Sequence, residues 1–468
     1  MIATETDSGR LPPQDHIELL IAHLIAHGEP QTVPQSARDA ARMFLFDSLG
    51  VALSGAALSE SALVLNVARN WGIGEDAHVW GSHERLPAPS AALINAYHIH
   101  NQEFDCVHER AVVHPMAVIL AALFAYAERR KNVSGTQFLT ALALAVDVAA
   151  VVGMSATRPI RFFRPAQCGC LGATAGMAVL AGFDANAMRN AFGIAYSQLA
   201  GTMQAHIEGS PTLALQVGFA ARAAVTAVDL AAAGFRGPHQ VLDGKYGYFA
   251  LFETEAAPQL AFAELGKRWQ IEQVSHKPFP TGRAAQGGIA GIRLLMQAHE
   301  FVADDVDEVV LEAPPLIRQL VDRPMLADMP ISYARLCLPF LVATTLKHGS
   351  VSLDAYDASR LRCPQLFALA ARVKLVADAN SDPNALSPQR LLVRLNDGRC
   401  FEHAMSTVFG APQAPMSAAD QRAKFDDCCR HAVMPLDEAH INALVGAIHD
   451  IEKMGDISEL LSFTYPNS

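Results

Sequence analysis

A dense run of titratable residues in the first quarter of the chain is the clearest sign of chemistry. Four histidines and three carboxylates lie between Asn95 and Pro115, namely His98, His100, Glu103, Asp105, His108, Glu109 and His114. Apolar helical patterns precede and follow them, so burying these groups would be costly unless they are paired or used. Because histidine transfers protons near neutral pH, this segment is predicted to carry acid–base chemistry.

His114 is the first candidate, because it directly precedes Pro115. Proline suits the first turn of a helix, so His114 is expected at a helix N-terminus, where free backbone N–H groups favour an anion. We predict that His114 is a catalytic base or acid; a capping histidine without chemistry is the alternative. Asp105 and Glu103 are predicted catalytic partners, and the alternative is that they only orient histidines or form local ion pairs.

Two more histidines of this segment, His108 and His100, are candidates for catalysis and for substrate binding respectively. Either could instead be a buried, hydrogen-bonded histidine with a structural role. Outside the segment, His206 is a further binding candidate, with Glu208 beside it in Gln-Ala-His-Ile-Glu-Gly-Ser. An ordinary surface loop is the alternative for that stretch.

Cations that could hold an acid lie elsewhere in the chain. The loop Lys-Pro-Phe-Pro-Thr-Gly-Arg contains Lys277, predicted to be catalytic, and Arg283, predicted to bind substrate. Arg158, Arg161 and Arg164 form a local basic cluster, of which Arg164 is the predicted substrate ligand. The planar guanidinium matches a carboxylate in a two-pronged bond. The alternative for each cation is a solvated surface charge.

The same histidine-rich segment could hold a metal ion, but its spacing does not favour a metal site. On a helix, residues two apart point about 200° apart, so His98 and His100 would not share a face. That leaves His100, Glu103 and His108 as one conceivable ligand set. We expect neither a metal nor a cofactor.

Composition restricts the class of protein. The 468 residues are 51% hydrophobic and 18% charged, which predicts large buried cores and more than one domain. The net charge of −11 argues against nucleic-acid binding. The eight cysteines include no CxxC pair and are expected to be free thiols.

Two stretches of the sequence predict where in the cell the protein is located. The polar, acidic N-terminal residues do not resemble a signal peptide, so a cytoplasmic protein is expected. The uncharged stretch 165–183 contains Pro165, several glycines and few large aliphatic residues, and is predicted to be a buried helix rather than a membrane span.

Helical periodicity dominates to about residue 235, and the pattern then changes. Period-two alternation predicts strands at 306–313, 373–378 and 390–402, with Asn396-Asp397-Gly398 as a hairpin turn, and a helix is predicted at 332–347. The tail from Ser417 is again helical. The predicted fold is mainly α: an all-helical domain from residues 1–268 and 410–468, and a smaller α+β domain from 269–409.

Several motifs together resemble the MmgE/PrpD family. The family pattern of Asn, four residues, His, two residues, Asp-Phe-Asp-Asp and then His-Pro is represented by Asn95, His100, Glu103-Phe104-Asp105-Cys106 and His114-Pro115. Its Lys-Pro-x-Pro is represented by Lys277-Pro278-Phe279-Pro280. Phe46 to Gly55, Arg189-Asn-Ala-Phe-Gly-Ile-Ala and Gly234-Phe-Arg-Gly-Pro also match, so the resemblance covers essentially the whole chain.

The resemblance implies a fold and a class of reaction. It implies a helical main domain built from both chain ends, a smaller α+β lid, an active site between them, metal-free chemistry and often a homodimer. Family activities include 2-methylcitrate dehydratase, cis-aconitate decarboxylase and iminodisuccinate epimerase. In each, a proton leaves or reaches a carbon beside a carboxylate.

This sequence departs from the family pattern at several polar positions. Glu103 and Cys106 replace aspartates, Val107 replaces a threonine, and Phe163 or Arg164 replaces a histidine. Further replacements are Leu213 for a lysine, Gln286 for a histidine and Phe340 for a tyrosine. Gln286 is nevertheless kept as a substrate-binding candidate. The departures predict a divergent branch with an unidentified acid substrate.

The predicted function is that of a cofactor-independent lyase acting on a small di- or tricarboxylate. Loss of water is the first choice. Isomerisation or epimerisation is the second, and decarboxylation the third. A member that binds an acid without turnover is the remaining alternative.

Overall fold

The computed structural model describes residues 15–466, and the N-terminal residues on which the signal-peptide prediction rests lie outside that range. Helices account for most of the first 262 residues: α1 (His16–His27), α2 (Gln35–Gly55), α3 (Ser59–Arg69), α4 (Ala88–His100), α5 (Pro115–Arg130), α6 (Gly135–Met154), α7 (Arg164–Ala181), α8 (Ala185–Tyr196), α9 (Gln204–Glu208), α10 (Thr212–Ala232), α11 (Tyr248–Leu251) and α12 (Pro258–Phe262). Each matches a stretch of apolar residues at helical spacing or lies in a short connection between such stretches.

The remaining helices are α13 (Gln286–His299), α14 (Pro315–Val321), α15 (Ile331–Ala334), α16 (Leu338–His348), α17 (Ala358–Leu361), α18 (Pro364–Ala370), α19 (Ala418–Arg430) and α20 (Glu438–His449). The strands are β1 (Ala77–His78), β2 (Arg85–Leu86), β3 (Val107–His108), β4 (Val274–Ser275), β5 (Val306–Ala313), β6 (Val373–Ala377), β7 (Gln389–Leu395) and β8 (Cys400–Met405). A mainly α fold with a small mixed sheet is confirmed.

Close helix packing forms the centre of the helical part. A Cβ added at Gly172 would lie 2.5 Å from the carbonyl oxygen of Ala145, and one at Gly176 would lie 2.9 Å from that of Ala141. Only glycine allows α6 and α7 to approach this closely. The prediction of a buried helix at 165–183 is confirmed, because α7 lies almost wholly inside the protein.

Within residues 15–466, two helices are long and apolar enough, by length and composition alone, to span a membrane, and a third span is added if the bent pair α2 and α3 is counted as one. The two helices are α6 and α10, whose apolar windows are 89% and 56% buried inside the protein. The absence of a membrane partner therefore stays a prediction. The less buried helix, α10, leaves large apolar side chains on the surface, including Phe219 and Leu230.

Two hydrophobic cores divide the described chain. The larger runs through the helices up to residue 274 and also includes Leu336 and, from the tail, Phe425, Leu444 and Leu461. The smaller consists mainly of residues between 279 and 405, joined by Val112 and Ile160. It surrounds a sheet of order β6-β5-β7-β8, in which β5 and β6 are parallel and the other pairs are antiparallel. The domain limits at 268 and 409 stay predictions.

One predicted helix is wrong in a way that affects the site. Instead of a continuous helix at 332–347, α15 ends at Ala334 and α16 begins at Leu338. Pro339 lacks the N–H that a continuing helix needs, but it suits the first turn of α16. The break places Arg335 in a buried turn between the two helices.

Candidate active site

The histidine-rich segment forms a buried loop between α4 and α5. His100 is the last residue of α4, and Pro115 is the first residue of α5, with His114 before it. The loop is held by the antiparallel pairing of β3 with β4, in which Val107 lies opposite Ser275. Because Lys277 follows β4 by two residues, this pairing brings it to the carboxylates of the loop.

Asp105 is the centre of the cluster. One carboxylate oxygen, Oδ2, accepts hydrogen bonds from Nδ1 of His100 at 2.9 Å and from Nδ1 of His114 at 3.1 Å. The other oxygen, Oδ1, lies 3.4 Å from Nζ of Lys277. A single buried carboxylate therefore orients both imidazoles and one ammonium group.

Lys277 connects Asp105 to Glu103. Its Nζ lies 3.0 Å from Oε2 of Glu103, and the lysine side chain is completely buried. Glu103 has φ of 53°, a left-handed conformation that is uncommon for a residue other than glycine. Strained backbone of this kind is concentrated at functional sites, where the surrounding contacts maintain it.

Lys424, in the tail helix α19, holds the two halves of the cluster together and was not found from the sequence. Its Nζ donates to the carbonyl oxygen of Phe104 at 2.8 Å and to that of Lys277 at 3.1 Å. It also pairs with Asp47 at 2.7 Å, so the charge is compensated. The sequence shows only a lysine in an amphipathic helix, and these contacts arise from the return of the chain.

The charges of the cluster follow from these contacts. Burial opposes the ionisation of Glu103, but Lys277 and His100 outweigh it and lower the pKa of this carboxyl to about 2. Burial likewise opposes the ionisation of Asp105, yet His100, His114 and Lys277 hold its pKa well below the usual range. Both carboxyl groups are therefore ionised at neutral pH.

The two histidines differ. Burial alone would lower the pKa of His100, but Asp105 and Glu103 raise it above its ordinary value. Burial and the neighbouring Lys277 lower the pKa of His114, so this imidazole is neutral. A neutral His114 donates from Nδ1 to Asp105 and keeps its lone pair on Nε2, which no group within residues 15–466 bonds.

Two cavities, each of about 60 Å³, meet at this cluster and share Glu103 and Leu213 in their walls. The first, which we call the polar cavity, combines apolar wall residues such as Leu58 and Ile331 with several polar ones, namely His100, Glu60, Ser59, Ser210, Ser332 and Arg335. The second contains His114 and His206 but is otherwise mostly apolar. Polar and apolar parts of one small molecule could thus bind on either side of Glu103.

Arg335 is a buried cation that the sequence did not indicate. Its guanidinium lies over the ring of Tyr356, 5.1 Å from the centroid, and one NH group donates to the carbonyl oxygen of Asn101. Its Nε has no hydrogen-bond partner in the described part of the chain, and neither has Nε2 of His100. Unpaired buried donors beside a cavity are a feature expected of a site for an anion.

Arg164, one of the predicted substrate ligands, is instead bonded to other groups of the protein. Arg164 is fully buried and bonds Glu253 at 2.5 Å and Asn384 at 2.9 Å. The prediction that Arg164 binds substrate is therefore not supported, because its donors are engaged. Arg158 and Arg161 are exposed.

Arg283 and Gln286 brace the Lys-Pro-Phe-Pro loop. Arg283 borders the apolar cavity, but it bonds Glu109 at 2.9 Å and the carbonyl oxygens of His276, Val408 and Phe409. The Gln286 amide accepts from the N–H of Phe279 and donates to the carbonyl oxygens of Phe279 and Thr281. Both predicted substrate ligands position the loop that contains Lys277.

His108 also has a structural place. Its Nδ1 accepts from the N–H of Ala111, so Nε2 donates to the side-chain oxygen of Gln270 at 3.1 Å. Burial lowers its pKa to about 4, which keeps the ring neutral. Neither ring nitrogen is available for proton transfer, so the structure does not support a catalytic His108.

His206 is in the apolar cavity, as a binding residue should be, whereas Glu208 is exposed. Arg323 lies behind His206, 3.2 Å from Nδ1. Burial, followed by Arg323, lowers the pKa of His206 to about 4. The imidazole is therefore a neutral polar group at the cavity wall.

The departures from the family pattern are concentrated at one place. Val107, Phe163 and Leu213 all line the apolar cavity beside His114. Phe340 is buried in the second core, and Gln286 is in the loop described above. Three of the changed positions therefore alter the surroundings of one histidine.

His100, Asp105 and His114 lie close enough to be considered for a metal ion, with one ligand atom from each within 4.8 Å of the others. This set differs from the conceivable ligand set of the sequence, His100, Glu103 and His108, because it contains Asp105 and His114 instead of Glu103 and His108. However, the shared Asp105 oxygen already accepts from both rings, and the Lys277 ammonium is 3.4 Å from its other oxygen. Protein groups thus balance the carboxylate charge that a cation would otherwise need to meet.

Sequence comparisons agree with this organisation. The MmgE/PrpD N-terminal domain matches residues 20–261, and the MmgE/PrpD C-terminal domain matches residues 279–450.

Three curated relatives are similar over nearly their whole length. Cis-aconitate decarboxylase of Mus musculus is 27% identical, with 90% of this chain and 88% of that protein covered. Cis-aconitate decarboxylase-like protein oryM of Aspergillus oryzae is 25% identical, with 98% of each chain covered. Cis-aconitate decarboxylase of Aspergillus terreus is 22% identical, with 94% of each covered.

Proposed function

This chain belongs to the MmgE/PrpD family, and from that premise we propose that it is a cofactor-independent lyase acting on a small carboxylic acid. The observation that carries the proposal is the oriented pair of His114 and Asp105 at the junction of two cavities. A free Nε2 on a neutral imidazole is a base, and Asp105 stabilises the imidazolium that forms when it accepts a proton.

Arg335 and His100 supply the binding half of the proposal. Each lines the polar cavity and has a buried nitrogen without a hydrogen-bond partner in residues 15–466, although Nε2 of His100 also lies 3.7 Å from Oε1 of Glu103. A substrate carboxylate would accept hydrogen bonds from both. The bond to a charged acceptor would hold the acid with its neighbouring carbon toward Glu103 and His114. The Lys277 ammonium lies behind Glu103 and would stabilise the negative charge that develops when the proton leaves.

Dehydration is the outcome that this geometry favours. His114 begins neutral, so the first step is removal of a proton from the carbon beside the carboxylate. The electron pair forms a carbon–carbon double bond as hydroxide leaves the adjacent carbon. His114 returns its proton to the hydroxide, which leaves as water. Return of the proton to the carbon instead would give isomerisation or epimerisation.

Decarboxylation is the second candidate, because the curated relatives carry that name. After carbon dioxide leaves, the remaining carbanion needs a proton donor. Asp105 and Glu103 raise the pKa of His100 against the effect of burial, which makes this ring the better proton donor, but it bonds Asp105 and lines the polar cavity instead of the apolar one. A base that starts neutral therefore favours dehydration over decarboxylation.

Deuterium exchange tests the proposal. The full-length protein would be incubated in heavy water with a panel of hydroxy and unsaturated di- and tricarboxylates, with and without EDTA, and followed by NMR. We expect deuterium at the carbon beside a carboxylate together with an alkene product, unchanged by EDTA. Release of carbon dioxide as the first event would show decarboxylation. Absence of exchange with every acid would support a binding protein without turnover.

We also propose a homodimer through one apolar surface. This surface consists of Leu63, Val67, Trp71, Ile73, Phe219 and Leu230. Arg222 of α10 lies over the ring of Trp71, 4.7 Å from its centroid, which connects α10 to the segment that follows α3. Contiguous exposed apolar side chains of this kind mark protein interfaces.

A further inference from the structure

The apolar cavity beside His114 constrains the substrate. Its walls include Val112, Ile160, Phe163, Leu213, Val321 and Leu336. Each of these side chains is at most 9% exposed, so their positions are determined by the packing of both cores. Apolar walls of this kind stabilise a hydrocarbon group and offer nothing to an anion.

The polar groups at this cavity would not receive a carboxylate. Burial and Arg323 hold His206 neutral, and burial and Lys277 hold His114 neutral, so neither ring offers a positive charge. The cation that borders the cavity, Arg283, is already bonded to Glu109 and to three carbonyl oxygens. Arg323, whose Nη1 has no hydrogen-bond partner within residues 15–466, lies behind His206 and not in the cavity wall. An anion at the wall would therefore lose its water without direct contact with a free cation.

The adjoining cavity also has apolar residues in its wall, among them Leu58 and Ile331, but it adds the guanidinium of Arg335. Arg335 and His100 line it, and each has a buried nitrogen that makes no hydrogen bond in the described part of the chain, although Nε2 of His100 lies 3.7 Å from Oε1 of Glu103. Because the two cavities share Glu103 and Leu213, one molecule can extend across both. Its acidic end would lie by Arg335, its reacting carbon at the junction, and its other end among the apolar walls.

We propose that the substrate is a short carboxylic acid that carries an alkyl group where a tricarboxylate would carry its third carboxylate. This rests on the proposed function, whose substrate it specifies. A cavity of about 60 Å³ takes roughly four to six heavy atoms, since about 10–15 Å³ holds one water-sized group. Leu213, at the junction of both cavities, is the residue that selects an alkyl group over a charged one.

Two isosteric acids give the sharpest test. Isobutylsuccinate and tricarballylate share the succinate part and differ only in a side arm of equal size, which is a branched alkyl group in the first and a carboxymethyl group in the second. Binding of each to the full-length protein would be measured by calorimetry. We expect isobutylsuccinate to bind at least about tenfold more tightly, because burying an unpaired carboxylate is costly.

Chain length provides a second measurement on the same protein. From methylsuccinate to propylsuccinate, affinity should rise about three- to fourfold for each methylene group buried. It should fall for octylsuccinate, which exceeds the cavity. Equal or tighter binding of tricarballylate, or no saturable binding of any alkylsuccinate, would overturn the inference.

The variant Leu213→Lys adds a cation at the junction. We expect it to reverse the preference, so that tricarballylate binds more tightly than isobutylsuccinate. Leu260→Lys, at an exposed leucine of α12, is the matched control and should bind both acids as the unmodified protein does. If Leu213→Lys does not fold, the two isosteres on the unmodified protein still decide.

The outcomes separate this inference from the proposed function. Tight isobutylsuccinate binding without deuterium exchange into any acid would support the alkyl pocket and contradict the lyase. Exchange into a tricarboxylate, together with tighter tricarballylate binding, would contradict the alkyl pocket and leave the lyase intact.

Discussion

His114 donates its Nδ1 hydrogen to Oδ2 of Asp105 across 3.1 Å, which leaves Nε2 as the lone-pair nitrogen at the apolar cavity. The same Asp105 oxygen accepts from His100 at 2.9 Å. One carboxylate therefore selects the tautomer of the proposed base and holds a second imidazole in place.

Replacing His114 with glutamine should lower the rate of deuterium exchange by about 100-fold or more, the range in which a general base contributes. The exchange assay in heavy water measures this directly. His108→Gln is the matched control, since His108 is buried in the same loop but bonds Ala111 and Gln270. It should lose stability and keep its exchange rate per folded molecule. Equal losses in both variants would contradict the assignment.

The pH profile of exchange should be bell-shaped. Burial lowers the pKa of His114 from 6.5. As the pH is increased, activity should therefore rise at a pH below 6.5, where this ring loses its proton and becomes a base. The pKa of His100 is raised by Asp105 and Glu103 against the effect of burial. Activity should therefore fall at some pH above 6.5, as His100 loses its proton and its second donor. His100→Gln should abolish the descending limb, and a profile with one limb in the unmodified protein would contradict these roles.

Removing the ammonium of Lys277 should destabilise the protein by about 3–5 kcal/mol, because Glu103 and Asp105 would remain buried without it. Urea unfolding of Lys277→Met measures the loss. The double variant Lys277→Met with Glu103→Gln should recover part of the stability, since one buried charge is then removed. Exchange activity should stay low in both variants. Recovery of full activity in the double variant would exclude a role for Lys277 in the reaction.

Arg335→Gln should weaken binding of an acid by about 10- to 100-fold, the loss expected for a hydrogen bond to a charged group. The effect should fall on KM, with exchange at saturating acid within a few-fold of normal. Arg318→Gln, which removes an exposed arginine paired with Asp322, is the control and should change neither quantity. A loss confined to kcat would place Arg335 in the chemical step instead.

Phe219→Glu should convert the dimer to a monomer, because a carboxylate would be buried at the centre of the apolar surface of α3 and α10. Light scattering after size-exclusion chromatography measures the mass of the particle. Val302→Glu changes an exposed valine of the other domain and should leave the dimer intact. A monomeric unmodified protein at micromolar concentration would refute the dimer.

Helices and strands could be predicted from the sequence where one local pattern was unambiguous. The alternation of 306–313 and the Asn396-Asp397-Gly398 turn gave the strand β5 and the β7–β8 hairpin where the structure has them. The predicted helix at 332–347 is wrong because the apolar spacing continues through this stretch although Pro339 interrupts the helix. Arg335 lies in the interruption and is not among the residues predicted for the site. A buried arginine in a turn and an exposed arginine on a helix look alike when only the periodicity of neighbouring residues is considered.

The sequence by itself determined the family, the mainly helical fold with a small sheet, and the segment in which His114, Asp105 and Glu103 lie. These features could be predicted because they depend on the spacing of residues that are close together in the sequence. Tertiary structure alone decided which charges are free. Arg164 and Arg283 are engaged by Glu253 and Glu109, whereas Arg335 keeps a free donor. These pairings join residues up to 174 positions apart, and hydrogen bonds between such distant residues exist only after both cores have packed.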